Sequence, residues 1–303
     1  MQKFIISEED KDVRLDRWFK RHHPHITQAL LQKMLRKKDV RVNGLRAEAS
    51  LRVKAGDVVT ITIDIKPPTE MFHVKHSSEM QVSDRDIADF NKLIIFENND
   101  FLVINKPHGL ASQGGRGVKI SVDDIIKKIS PRYKLVHRLD KDTCGVLVIA
   151  KKTSMATAFS EALQSKQVEK IYWALLRGVP QHKIGEIDLP LLKSGRNIEK
   201  VEVNMQQGKP AITQYRVLEK LGKELSWVEL RPITGRTHQL RVHMEAIGCP
   251  IIGDGKYGGK RAFEEGFSKK LHLIARRIII PQFNIDASAD LPDYMKETAP
   301  KPA

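Results

Sequence analysis

The stretch from Val136 to Ala150 constrains this chain most. Val136-His137-Arg138-Leu139-Asp140-Lys141-Asp142-Thr143 sets an acidic side chain among basic ones in a loop. That loop runs directly into Cys144-Gly145-Val146-Leu147-Val148-Ile149-Ala150, a glycine-led, β-branched run that predicts a strand. A carboxylate there is positioned by a rigid element and charge-paired from the start. A neighbouring opposite charge favours a carboxylate's ionised form, which makes Asp140 a candidate nucleophile or base. The alternative is that Asp140 bridges to Arg138 and only holds the loop.

At 303 residues the chain exceeds the usual single-domain size, so one larger and one smaller domain are expected. The charge balance is 52 Lys and Arg against 37 Asp and Glu, a net +15, with a pI near 9.7. Such an excess attracts polyanions, and nucleic acid is the first partner to consider. A membrane surface competes, but there is no lipidation signal and no apolar run approaching ~18 residues. The N-terminal Met1-Gln2-Lys3-Phe4-Ile5-Ile6 lacks the apolar core and cleavage site of a secretory signal, and the acids that follow argue against a transit peptide. A cytoplasmic location follows as the expectation. Cys144 and Cys249 make no disulfide framework, and no Cys-x-x-Cys pair or spaced histidines suggest a metal site.

Residues 12–65 read as a first unit. Leu15, Trp18 and Phe19, then Ile26, Leu30, Leu31, Met34 and Leu35, recur at helical spacing, with Pro24 and Thr27 marking a break and a fresh start. Val40-Arg41-Val42-Asn43-Gly44 predicts a strand and hairpin turn, followed by short strands at Arg52–Val53 and 58–63. Lys33, Arg36, Lys37, Lys38 and Arg41 gather at the helix end and in the strand beyond it. They either complement the helix dipole or form a nucleic-acid-binding face. His22-His23-Pro24-His25 reads as a helix junction rather than a metal site. Residues 66–89 have no clear period and read as a linker.

From about 90 to 285 strands alternate with helices. Strands are expected near 92–96, 101–105, 146–150, 171–176, 211–217, 227–230 and 278–283, and helices over 122–129, 153–164 and 237–247. The order implies an α+β domain on a mixed, largely antiparallel sheet with flanking helices, following a small N-terminal α/β module. Residues 286–303 read as a flexible tail. The run Gly109–Gly117 lacks the spacing of a phosphate loop and reads as a flexible connection.

Two further blocks carry chemistry. Lys170 and Tyr172 share one face of a strand; Tyr172 is either a site residue or a core tyrosine. In Gly235-Arg236-Thr237-His238-Gln239-Leu240-Arg241-Val242-His243, cations stand at the start of an expected helix. There they oppose the dipole unless an anion is near, and Asp140 or RNA phosphate would serve.

His-Arg-Leu-Asp with the following Thr143-Cys144-Gly145, the Lys-x-Tyr block and the Gly-Arg-Thr-His-Gln-Leu-Arg-Val-His block together resemble the RluA-type pseudouridine synthases, in their large-subunit ribosomal RNA branch. Ile104-Asn105-Lys106-Pro107-His108-Gly109, Ile252-Gly253-Asp254 with Tyr257-Gly258, and Leu271-His272 also match. Residues 12–65 resemble an S4 domain, a small RNA-binding module. The family usually has Ser at the place of Cys144, which puts one hydrogen bond in question. The resemblance implies isomerisation of uridine in ribosomal RNA, without metal, nucleotide or redox cofactor, by a chain expected to act as a monomer. It implies Asp140 acting on the ribose, Arg241 pairing with Asp140 (Arg236 being the alternative), and Tyr172 beneath the base and a candidate for handling its C5 proton. Arg138, Arg236, His238 and Gln239, with Lys33, Arg36, Lys37, Lys38 and Arg41, would hold RNA. The target would be flipped out of its helix. A non-catalytic RNA-binding ribosome-assembly factor, or a metal-dependent hydrolase using Asp and His, are the other readings.

Overall fold

The β-branched run becomes an interior strand, Cys144–Ala150, with all seven residues buried. The computed structural model describes residues 1–63, 82–115, 117–194 and 200–300. The chain divides into two units, Met1–Glu79 and Met80–Ala303.

In the second unit a ten-stranded sheet runs in the order Ile184–Asp188, Ile212–Leu221, Leu225–Pro232, Glu169–Arg177, Leu273–Ile280, Cys144–Ala150, Phe101–Lys106, Ile94–Glu97. Ile285–Ser288 adds to Leu273–Ile280, and Lys134–Leu135 to Cys144–Ala150. Among its pairings only that of Leu273–Ile280 with Cys144–Ala150 is parallel, so the sheet is mixed and largely antiparallel, as the sequence implies. Gly145 makes that junction feasible. Its φ is +107°, and a Cβ there would lie 2.2 Å from the Ala275 carbonyl oxygen, so a side chain would force the strands apart just after the Asp140 loop.

Helices Asp84–Asn91 and Val122–Ile129 each begin with a reciprocal cap, Ser83 with Asp86 and Ser121 with Asp124. With Thr153–Gln164 they supply Phe90, Val122, Ile126 and Phe159 to one core, against Phe101–Ile104 and Val146–Ala150. Truncating Phe159 to Ala would cost about 3–5 kcal/mol. A second core gathers Ala174, Leu176, Val228 and Leu230 under Leu240 and Met244 of helix Gln239–Ala246. The two cores anchor the two segments that carry the candidate chemistry.

The first unit has a four-stranded sheet, in the order Gln2–Ile5, Val58–Ile61, Val40–Val42, Leu45–Arg46, and helices Leu15–His22 and Gln28–Lys37. Leu15, Phe19, Leu31 and Met34 pack against Val40, Val59 and Ile61. Asn43 and Gly44 both adopt positive φ, 51° and 76°, as a two-residue hairpin turn requires. The Asn43 side chain locks the turn, accepting from Val58 N–H and donating to Asp57, each at 2.8 Å. His23 forms the C-cap of the first helix.

Several expectations are corrected. Residues 84–89, read as linker, lie in a capped helix, while 66–81 fall outside the described residues. Arg52 makes only an isolated bridge to Arg14 rather than a strand. The expected 278–283 strand is Leu273–Ile280, which ends at a turn opened by Pro281, a residue with no N–H to donate. The expected tail instead forms strand Ile285–Ser288 and helix Asp293–Lys296, whose Met295 is fully buried. Its three prolines suggested fraying, but edge pairing and one apolar anchor hold it in place.

Candidate active site

Asp140 sits in a loop whose backbone is tied on both sides. The Ser112 hydroxyl donates to the Leu139 carbonyl at 2.7 Å and accepts from its N–H at 3.0 Å. The fully buried Lys106 ammonium donates to the carbonyls of Lys141, Pro107 and Leu110 at 3.1, 3.0 and 2.7 Å. Burial pulls the Lys106 pKa down to about 8, so at pH 7 it is still an ammonium and those carbonyls satisfy it. Gly109 N–H also donates to the Lys141 carbonyl, and Thr143 N–H to that of Asp140. On the strand side, His137 Nε2 accepts from Val148 N–H at 2.8 Å while its ring stacks on Phe159. Burial lowers the His137 pKa to about 3, keeping the acceptor nitrogen bare. A carboxylate on so tethered a loop is preorganised for one position.

Two side chains from the 236–246 segment face it. Arg241 Nη1 lies 3.7 Å and His238 Nε2 3.6 Å from Asp140 Oδ2. Arg241 is itself committed elsewhere: Nε and Nη2 bond Asp254 at 2.8 and 2.7 Å, in a buried two-pronged pair. Burial opposes the guanidinium's charge, but Asp254 and then Asp140 outweigh it and raise its pKa. His238 takes the left-handed conformation, φ +53°, which costs about 1–2 kcal/mol. Its Nδ1 lies 2.6 Å from the Tyr257 hydroxyl, which accepts from Val201 N–H at 3.3 Å. When the phenol's O–H donates to Nδ1, the neutral ring carries its proton on Nε2, toward Asp140. Burial lowers the His238 pKa, against the pull of Asp140. The Tyr257 ring also lies 5.1 Å from the Arg241 guanidinium carbon, close enough for a cation–π contact.

Two clefts meet at Asp140. One, about 750 Å³, is walled by Tyr172, Leu163, Leu240 and Leu273. The other, about 1100 Å³, is walled by Lys141, Lys256, Lys269 and Lys270. Arg138, Leu139, Asp140, His238 and Arg241 line both. Burial, and then Asp140, push the Tyr172 phenol's pKa upward, so it stays an O–H at neutral pH. Lys170 lines the same cleft as Tyr172, and burial lowers its pKa.

The sequence-derived set is thus partly assembled and partly redistributed. Asp140, Arg241 and His238 come together, and Tyr172 lines the adjoining cleft. Arg236 is exposed, with Nε on the Pro210 carbonyl at 3.0 Å, and does not face Asp140. Arg138 is exposed at the rim of both clefts. Gln239 is corrected. Its carbonyl accepts from Arg236 N–H and the Thr234 hydroxyl, and its amide donates to the Ile212 carbonyl and the Thr213 hydroxyl. A side-chain amide has no further valence for RNA. The helix begins at Gln239 rather than Thr237, so Arg236 and His238 precede it. In the first unit Lys33, Arg36, Lys37, Lys38 and Arg41 are all exposed and make no ion pair among the described residues, whereas Arg14, Arg21 and Arg52 pair with Asp16, Asp10 and Asp12.

Sequence reasoning gave no role to Ser112, Lys106, Asp254 or Tyr257. Ser112 lies in the glycine-rich run read as flexible, which is anchored at least there and at the buried Ala111. Lys106, Asp254 and Tyr257 stood in matching motifs, the one signal that could have drawn attention to them. Cys144, the departure from Ser, is buried, with Sγ 3.6 Å from the Leu273 carbonyl it can donate to. Burial pushes the thiol's pKa up, so it stays protonated and unreactive.

Comparison with known proteins agrees with this arrangement. A family model described as RNA pseudouridylate synthase matches residues 100–246, and an S4 domain model matches 13–59. Ribosomal large subunit pseudouridine synthase C of Rickettsia felis is 38% identical over 94% of this chain and 95% of its own length. The protein of that name from Vibrio parahaemolyticus is 34% identical over 84% and 80%. The solved structure of human RNA pseudouridylate synthase domain containing 4 superposes with a TM-score of 0.58 and 30% identity, covering 69% of this chain and 92% of that one. With relatives this similar over nearly their whole length, the chain belongs to the RNA pseudouridylate synthase family.

Proposed function

We propose that this chain isomerises specific uridines of large-subunit ribosomal RNA to pseudouridine, with Asp140 as the reacting carboxylate. The observation that carries the reading is the Asp140 carboxylate, tethered at the meeting point of two clefts with Arg241 and His238 on its open side. In the reaction the N1–C1′ bond breaks, uracil turns, and a C5–C1′ bond forms; the C5 proton is lost and N1 gains one. Asp140 serves at the ribose, by attack at C1′ or by removal of the 2′ proton. Tyr172 offers a neutral phenol beneath the base, where it can stack and relay the C5 proton. Arg241 and His238 hold the carboxylate oriented.

The substrate assignment rests on the names of the relatives and on the exposed cations Lys33, Arg36, Lys37, Lys38 and Arg41 of the S4 unit. Phosphate contacts by such side chains supply salt-dependent affinity. Both cysteines are free and buried, which suits a reducing cytoplasm where ribosomes assemble. The test is pseudouridine mapping of ribosomal RNA from cells with the intact protein, without it, or with Asp140→Ala. Loss of the same large-subunit positions in both defective strains is expected. An unchanged map with impaired ribosome assembly would favour a non-catalytic assembly factor instead.

A further inference from the structure

We infer that the larger cleft is the track for the RNA sugar–phosphate backbone beside the target uridine, with Lys269 and Lys270 as its phosphate contacts. The inference rests on the reading of Asp140 as the carboxylate that acts at the ribose. With C1′ held there, the base leaves the ribose from C1′ and the backbone from C3′ and C5′, so base and backbone depart in different directions. The two clefts that meet at Asp140 differ accordingly. The smaller carries cations too, Lys166, Lys170 and Arg236, but it sets them beside the aromatic ring of Tyr172 and the apolar Leu163, Leu240 and Leu273, surfaces on which a base can stack. The larger has neither Tyr, Phe nor Trp among the described residues of its lining, but it has Lys141, Lys256, Lys269 and Lys270 and the side-chain-free backbone of Gly114, Gly115, Gly253 and Gly255.

Lys141, Lys269 and Lys270 are exposed, and none makes an ion pair among the described residues. Arg177, Arg231 and Arg277, by contrast, are paired with carboxylates. Gln239 is consumed internally and His238 is held between Tyr257 and Asp140, so neither is placed to carry the strand. The Lys270 ammonium stands over the Tyr294 ring, Nζ 5.3 Å from its centroid, a cation–π contact that holds it at the cleft wall. The carboxylates that line the cleft are Asp140 and Asp142, and Asp142 lies 3.8 Å from His108. The lining charge remains positive.

The test uses the full chain with the double variant Lys269→Gln/Lys270→Gln, and Lys220→Gln/Lys223→Gln, which touches neither cleft, as the control. Binding of a single-stranded oligouridine and of large-subunit ribosomal RNA is measured from low to high salt, with KM and kcat for pseudouridine formation. Losing two single-strand phosphate contacts should weaken binding about tenfold near 0.1 M salt and reduce the slope of log affinity against log salt by about 1.4. The activity loss should fall in KM rather than kcat, with the control matching wild type. Wild-type affinity and slope in the double variant, or an equal change in the control, would overturn the assignment. If wild type binds these RNAs but forms no pseudouridine in any, it is the reading of the activity that fails, since the binding arm stands without turnover.

Discussion

Arg241 and Asp254 form a buried bidentate ion pair, Nε to Oδ2 at 2.8 Å and Nη2 to Oδ1 at 2.7 Å, that leaves Nη1 turned toward Asp140. The carboxylate at 254 therefore sets the height at which the guanidinium stands over the carboxylate at 140. Asp254→Ala should destabilise the fold by about 3–5 kcal/mol, because it strands a buried cation. Asp254→Asn keeps the acceptor oxygen and should fold, while losing up to about 10²-fold in kcat through a guanidinium displaced toward Asp140. Unfolding curves and single-turnover rates on the two variants check this; a fully active Asp254→Asn would remove Asp254 from any positioning role.

Asp140→Asn should leave the fold intact, since the side chain is about one-fifth exposed and its nearest ionic partners are 3.6 and 3.7 Å away. Pseudouridine formation should fall by at least about 10²-fold, the lower range for removing an acid–base group. RNA affinity measured without turnover should stay close to wild type. Residual activity near the wild-type level would sink the assignment of Asp140.

His137 gives a pH dependence of definite sign. Its folded pKa of about 3 lies below the ordinary 6.5, because burial disfavours the imidazolium. The unfolded chain therefore takes up the proton first as pH falls. The stability this group provides is complete above pH 6.5 and is lost progressively between 6.5 and about 3. At pH 5 the loss should be about 1–2 kcal/mol. Burial depresses His23, His108, His238, His243 and His272 in the same direction, so the whole acid limb should be steep. In His137→Gln, whose side-chain carbonyl can still accept from Val148 N–H, chemical denaturation at pH 7 and pH 5 should show a shallower limb. An identical limb would mean that His137 titrates normally.

Cys144→Ser should be close to neutral. The thiol already points at the Leu273 carbonyl, and a hydroxyl makes the same bond at shorter range, worth about 1 kcal/mol either way. Activity should stay within about twofold, and the native thiol should resist alkylation until the protein unfolds. Rapid native labelling, coupled to loss of activity, would contradict the buried, protonated thiol.

The sequence alone determined what depends on neighbours in the chain. The periods of Leu15–Leu35, the Asn43–Gly44 turn, the strand after Asp140 and the order of the three chemical blocks are local patterns, and local sterics and side-chain alternation write them legibly. The tertiary structure decided which polar group answers which. Gln239 reads like an RNA contact until the Ile212, Thr213, Thr234 and Arg236 groups that exhaust it are in view. Lys106 shows its purpose only when the Lys141 carbonyl, 35 residues away, arrives at its ammonium. The 286–296 segment looked like a tail because its anchors, strand Leu273–Ile280 and the apolar pocket around Met295, are built by other parts of the chain. A buried donor or acceptor must be satisfied, but its partner can come from anywhere in the fold, and that choice is made by packing rather than by sequence spacing.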